Sequence, residues 1–317
     1  MSLQSKTPRN YLNNKDMLAE IHKSKNSYCF YTKPEYADYD IILDSIDDIQ
    51  SSLLPTKGID VDKNGVKKEV VIPPAAQAAR AKRLTVAAQD AALLTGKKLK
   101  AEEVGITHND IKVTDLVFRI TSWSHIPEAP AVVKVNKGKK SKSVELDEEV
   151  SDIIVTEYDE EEPIVDSPVA LKYVKLNFPP FLHYRILTDG SLEVVGKSHW
   201  KGDLETGTFC RDHGKPTNKL AMMWMKICDR YATRSNWRGY SYNDEMRSQG
   251  ILQLTVVGLQ FNEAKSQNPF AYYTAAVTNS FTRVLNTEKK SQNIRDDLLQ
   301  DAGLDPSFSR QNQTSDD

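Results

Sequence analysis

Cys210, His213, His199 and Asp203 are the residues of this chain whose types and spacing come nearest to a reactive or metal-binding cluster. Cys210-Arg-Asp-His213 places a thiol and an imidazole on one short segment, yet zinc is normally held by four Cys or His ligands and no second pair follows. Two groups so close on one loop also seldom aim at each other as nucleophile and base. No glycine-rich phosphate loop is written in the chain. Neither an enzyme nor a cofactor is expected. A different chemistry begins after Pro216, where rings interleave with cations and amides: Trp237, Arg238, Tyr240 and Tyr242, then Phe270, Tyr272 and Tyr273, then Thr282 and Arg283. Aromatic faces beside phosphate-binding cations suit unstacked bases, each stacked base being worth roughly 1–3 kcal/mol.

Charge segregates in the same way. The whole chain carries a formal charge of only -2, so bulk electrostatics do not announce a nucleic-acid binder. Residues 216–295, however, hold eleven Lys or Arg against five Asp or Glu. Upstream lie a lysine run (134, 137, 139, 140 and 142) and an acidic block from Glu145 to Asp166 with eleven carboxylates and no base. Blocks of one sign usually stay solvated or disordered. Three scattered cysteines, Cys29, Cys210 and Cys228, fit free thiols in a reduced compartment. The absence of any long apolar run predicts a protein that neither enters a membrane nor is exported.

The elements that must position these groups follow from periodicity. Met17, Leu18 and Ile21 behind Asn13 and Asn14 predict a short N-terminal helix over 10–22, and residues 28–43 lean to extended structure. The alanine-rich stretch 74–95 predicts a helix opened by Pro73 and Pro74 and ended near Gly96. Val113 to Trp123 reads as strand. Asp189-Gly190 between two β-like runs predicts a hairpin within 182–195. Leu220, Met223, Trp224, Ile227, Cys228 and Tyr231 recur at separations of three and four, the strongest helical stripe in the chain. A second helix is predicted from Asn243 to about Gln260. A third is predicted to start at Asn268 and Pro269 and continue through Leu285. Tyr273 and Phe281 fall on the inward stripe of that third helix and Tyr272 one position off it. The expected fold is α+β: a C-terminal all-α domain with a mixed, partly disordered inserted region containing a β-hairpin. The expected segments are 1–33 (helix joining the C-terminal domain), 34–143 (variable insertion), 144–168 (acidic linker), 169–215 (β-rich), 216–295 (helical domain) and 296–317 (tail).

The segment from Gly239 to Thr274, with its Asp244-Glu-Met-Arg-Ser-Gln-Gly250 motif and its Asn268-Pro-Phe-Ala-Tyr-Tyr-Thr run, resembles region 2 of the sigma-70 family. The likeness is closest to the late-transcription sigma factors of T-even-type bacteriophages, whose start Asn10-Tyr-Leu-Asn-Asn-Lys-Asp-Met-Leu also resembles. With their flanks the two stretches span about a third of the chain. The resemblance implies a non-enzymatic factor in the cytoplasm of an infected bacterial host. It would direct the host RNA polymerase core to promoter DNA for late transcription. It places Glu245, Ser248, Gln249, Ile251 and Thr255 against the coiled coil of the polymerase β′ subunit. It places Phe270, Tyr272, Tyr273, Thr274, Asn279 and Arg283 along the non-template strand of an A·T-rich minus-ten element, with Trp237, Arg238, Lys289 and Lys290 as further DNA contacts. Ser248 and Gln249 stand where the family carries Gln and Glu, and Ala276 and Val277 replace its tryptophan pair. Too little chain follows Arg295 for the two-helix reader of the minus-thirty-five element, so a co-activator and the phage sliding clamp are further expected partners. The tail Asp296–Phe308 loosely resembles a clamp-binding epilogue; a short amphipathic segment packed on the helical domain explains Leu298, Leu299 and Leu304 equally well. Against this stand two alternatives of other classes: a transcription co-activator that mimics region 2 without reading DNA, and a virion structural or interaction protein.

Overall fold

The computed structural model describes residues 12–61, 67–129, 172–308 and 310. In chain order it comprises α1 (Asn14–Asn26), β1 (Cys29–Tyr31), β2 (Ile41–Leu43), α2 (Asp48–Ser52), β3 (Thr56–Val61), β4 (Lys67–Ile72), α3 (Ala75–Leu94), α4 (Ala101–Val104), β5 (Val117–Thr121), β6 (Phe181–Ile186), β7 (Leu192–Ser198), β8 (Trp200–Lys201), β9 (Thr208–Phe209), α5 (Asn218–Ala232), α6 (Asn243–Val257) and α7 (Pro269–Asp301). The fold is α+β, and it divides into two units. One joins residues 1–29 to 212–317; the other is 30–211. The lysine run, the acidic block and Asn10-Tyr11 lie outside the described residues.

In the helical unit, α1 begins where a side chain can take an orphan N–H: the Asn13 carbonyl accepts from the Lys15 amide at 3.2 Å. Met17 and Ile21 of α1, Leu220, Trp224 and Cys228 of α5, Met246 and Leu254 of α6, and Tyr273, Val277 and Phe281 of α7 are all buried. The chain's two ends are tied by polar contacts as well. Thr217 caps α5 by accepting from the Leu220 amide, and its hydroxyl donates to Glu20 of α1 at 2.8 Å. Lys25, also of α1, is buried and donates to Glu263 at 2.6 Å and to the Phe261 carbonyl at 2.7 Å. A buried ammonium needs such partners, since leaving it unpaired in apolar surroundings costs several kcal/mol.

The predicted third helix differs in length. Beyond Leu285, to which its apolar period is followed, α7 continues to Asp301, 33 residues in all, about 50 Å at the usual rise. Its far end buries only Asp296. That carboxylate accepts from both the amide and the hydroxyl of Ser307, at 2.9 and 2.6 Å. The returning chain is therefore held by hydrogen bonds, while Leu298 and Leu304 are exposed rather than packed on the domain.

The second unit is built on a five-stranded sheet in the order β1-β7-β6-β5-β2, in which β2 lies parallel to β5 while β6 runs antiparallel to both β5 and β7. The hairpin β6–β7 turns at Asp189-Gly190, where Gly190 takes φ 83 and its amide reaches the Leu187 carbonyl. That positive φ is what a tight turn asks of glycine. Val113–Asp115 forms a 3₁₀ turn, so the strand read from Val113 starts only at Val117. Phe118 and Ile120 on one sheet face pack with Ala76 and Ala81 of α3, whose small side chains bring the helix close. On the other face Arg119 is buried with its guanidinium 3.9 Å from the centroids of both Tyr39 and Phe181. Its Nε donates to His183 Nε2 at 2.9 Å. A guanidinium cannot accept, so His183 carries its proton on Nδ1, which donates to the Tyr36 carbonyl at 2.7 Å.

At the end of this sheet His125 pairs with the Ser198 carbonyl at 3.0 Å. Burial pulls its pKa down from 6.5 to about 4, the hydrogen bond opposing and Lys197 adding to the fall. The folded-state pKa lies below the unfolded value. Stability is therefore untouched above about pH 6.5, lost as pH falls from there to about 4, and level below, by roughly 2–3 kcal/mol. Urea unfolding of wild type and His125→Gln near pH 7 and near pH 4 checks this. The wild type should lose about 2 kcal/mol more than the variant, and equal losses would contradict it.

Candidate functional site

Within the helical unit the residues singled out on α6 divide cleanly by turn. Met246, Gly250 and Leu254 face inward, with Gly250 where an added Cβ would sit 3.0 Å from the Phe281 ring and 3.4 Å from Cys228 Sγ. The motif glycine thus has a packing reason: it lets α6 lie close on α5 and α7. Glu245, Ser248 and Thr255 point to solvent, and Gln249 and Ile251 are half-buried. Gln249 donates to Glu245 at 3.0 Å one turn away. Ser248 and Thr255 return their hydroxyls to backbone carbonyls of their own helix. The same outward surface of α6 carries Leu252 and Val256, 56% and 59% exposed. Neither was singled out from sequence, although both stand off the inward stripe.

On α7 the predicted DNA-facing residues do not behave alike. Phe270 is 40% exposed. Tyr272 is half-buried: its ring lies edge-on to Phe261 at 5.6 Å, its hydroxyl donates to the Val257 carbonyl at 2.9 Å, and burial lifts its pKa to about 12. Tyr273 is fully enclosed, edge-on to Trp224 at 5.9 Å, and donates to the Gly258 carbonyl at 2.9 Å. In this conformation Tyr273 offers no ring face to a base. Its place on the stripe with Val277 and Phe281, rather than the family position, decides its environment. Thr274 is half-buried and bonds the Phe270 carbonyl; Asn279, Arg283, Lys289 and Lys290 are exposed.

Nor do these residues form one patch. Phe270 and Lys290 are about 30 Å apart along the helix. Trp237, half-buried, packs edge-on to Phe281 at 5.5 Å, so it and the exposed Arg238 lie well down α7 from Phe270. Arg234 was missed from sequence, though the spacing of Arg230, Arg234 and Arg238 by four was there to read.

Of the cysteine and histidine candidates, Cys210 and His213 are half-buried. His199 is fully buried, with φ 52, and its carbonyl accepts from the Cys210 amide. Burial, then Asp229, pushes the Cys228 thiol up to about 12, which leaves it protonated and unreactive at neutral pH. Among the described residues no group of three or more His, Cys, Asp or Glu could hold a metal ion, and no helix is long and apolar enough to cross a membrane. Comparison with known proteins gave no match, whether to a family model, a curated protein or a solved structure.

Proposed function

We propose that this chain is a phage sigma factor that binds the host RNA polymerase core and recognises and melts an A·T-rich minus-ten element for late gene transcription. One observation carries the reading. The segment that resembles sigma region 2 forms α6 and the start of α7, with Glu245, Ser248 and Thr255 on the open side of α6. The excess of eleven cations over five carboxylates in 216–295 supports it further. In this reading Leu252 and Val256 join Glu245 and Thr255 as the polymerase contact, exposed apolar groups flanked by polar ones being usual at protein interfaces. Phe270, Thr274, Asn279 and Arg283 face the separated strand.

The test is run-off transcription from an A·T-rich promoter with purified host core enzyme and no other sigma, alongside a pull-down of core at low salt. Glu245→Lys with Thr255→Arg should weaken core binding at least tenfold and cost the fold only about 1 kcal/mol, since both side chains are solvent-facing and the losses are the exposed Gln249 bond and a first-turn charge. Core binding without transcription would point to a co-activator instead. A wild-type protein that fails to retain core would overturn the proposal.

A further inference from the structure

The ten residues 233–242, Thr-Arg-Ser-Asn-Trp-Arg-Gly-Tyr-Ser-Tyr, join α5 to α6 and are closed on themselves by turns. Trp237 and Arg238 both donate from their amides to the Arg234 carbonyl, at 2.9 and 3.0 Å, and Tyr240 donates to Trp237 and Asn243 to Tyr240, each at 3.2 Å. The Asn243 side chain then ties the loop down, donating to the carbonyls of Ala232 and Trp237 at 3.0 and 2.9 Å. This connection is a shaped surface rather than a slack linker.

Three rings are set along it. Trp237 is anchored edge-on to Phe281; Tyr240 follows at 6.4 Å, tilted 42°, and Tyr242 at a further 5.2 Å, tilted 32°. Tyr240 is 36% exposed, and the other two are half-buried. Arg234, lying 4.4 Å over the Tyr231 ring, and Arg238 are exposed, and among the described residues neither meets a carboxylate. The nearby carboxylates are otherwise engaged or few: Asp229 and Asp244 pair with Arg247, and Glu288 faces Tyr242. Rigid, partly open rings next to uncompensated guanidinium groups match a ligand that has both flat faces and a repeating negative charge.

We propose that loop 233–242 is a second platform for single-stranded DNA, with bases stacked on Trp237, Tyr240 and Tyr242 and backbone phosphates held by Arg234 and Arg238. The inference rests on the reading that the helical unit holds an unwound strand, and it extends that strand's path from Phe270 down α7 to this loop. A protein partner is the less favoured occupant, because it would have to supply acidic groups to both arginines while covering three tilted rings.

The experiment uses the full chain, alone and bound to core polymerase, with fluorescein-labelled oligodeoxyadenylate followed by anisotropy across a salt series. Tyr240→Ala with Tyr242→Ala should weaken single-strand binding at least tenfold, while Tyr240→Phe with Tyr242→Phe should retain it, since rings and not hydroxyls do the stacking. Arg234→Gln with Arg238→Gln should lower affinity and reduce the salt slope by about 1.4, the share of two phosphates on a single strand. The phenylalanine and glutamine pairs should unfold at the wild-type temperature, and the phenylalanine pair separates lost stacking from any lower stability of the alanine pair. If the alanine and glutamine pairs bind normally while Phe270→Ala does not, the loop inference falls and the wider reading survives. If the arginine pair loses polymerase rather than DNA, the loop is a protein-docking surface and the inference also falls. If wild type binds no single strand in either state, both fall together.

Discussion

Glu263→Gln should cost the helical unit about 3 kcal/mol or more. Glu263 and Lys25 are both buried and 2.6 Å apart, so the substitution leaves an ammonium in a site where water cannot replace the lost charge. The Phe261 carbonyl, which Lys25 also reaches, keeps that hydrogen bond and limits the penalty. Adding Lys25→Met to Glu263→Gln removes the stranded charge and should recover part of the loss, because a neutral buried amide costs less than an unpaired buried charge. Urea unfolding followed by the helical circular dichroism signal gives both numbers. If the single variant were as stable as wild type, the Lys25–Glu263 pair would not be what fastens α1 to the loop after α6. If the double variant were worse than the single, desolvation would not be the dominant cost.

That contact also shows where sequence reading reaches its limit. The stripe of α5 was legible because Leu220, Met223, Trp224, Ile227, Cys228 and Tyr231 recur at three or four, and each of those residues is buried, while Met222 and Met225 off the stripe are exposed. The hairpin was legible because Asp189-Gly190 has a backbone preference of its own. Lys25 and Glu263, by contrast, lie far apart in the chain and look like solvated charges; only tertiary placement buries them. The sheet order was closed to sequence for the same reason, since β1 and β7 pair although five strands lie between them in the chain. Arg119 sits mid-strand and would be read as exposed, yet two ring faces and an imidazole make its burial possible. The far end of α7 escaped notice because residues beyond Leu285 bury only Asp296. A helix held by propensity and a polar clasp leaves no apolar period to detect.

The candidate surface was legible in part, and the division has a physical rule. Positions whose exposure is set by helix phase alone, such as Glu245, Thr255 and Asn279, could be placed from the wheel. Tyr272 could not: it stands one step off the inward stripe, but its hydroxyl reaches the Val257 carbonyl because α6 ends there. Where a helix stops determines which orphan carbonyls a neighbouring ring can satisfy, and helix ends are what periodicity defines least well.

The enclosure of Tyr273 changes which substitutions can report on DNA binding. Tyr273→Ala should destabilise the helical unit by about 3–5 kcal/mol: it empties a ring-sized volume beside Trp224 and deprives the Gly258 carbonyl of its donor. Tyr273→Phe keeps the volume and should cost only about 1–1.5 kcal/mol. Phe270→Ala, at a ring 40% exposed, should cost under about 1 kcal/mol. Combined removal of Tyr272 and Tyr273 would therefore lower any promoter-opening activity through lost stability alone, whatever these rings do with DNA. The informative comparison is Phe270→Ala against Tyr273→Phe, each measured by urea unfolding and by permanganate reactivity of promoter thymines in the presence of core polymerase. If the strand lies on the open side of α7, Phe270→Ala loses promoter opening while staying folded, and Tyr273→Phe keeps it despite being the less stable of the two. The reverse order would require Tyr273 to leave the core when DNA binds, with a stability cost that its buried hydrogen bond and its packing against Trp224 set at several kcal/mol.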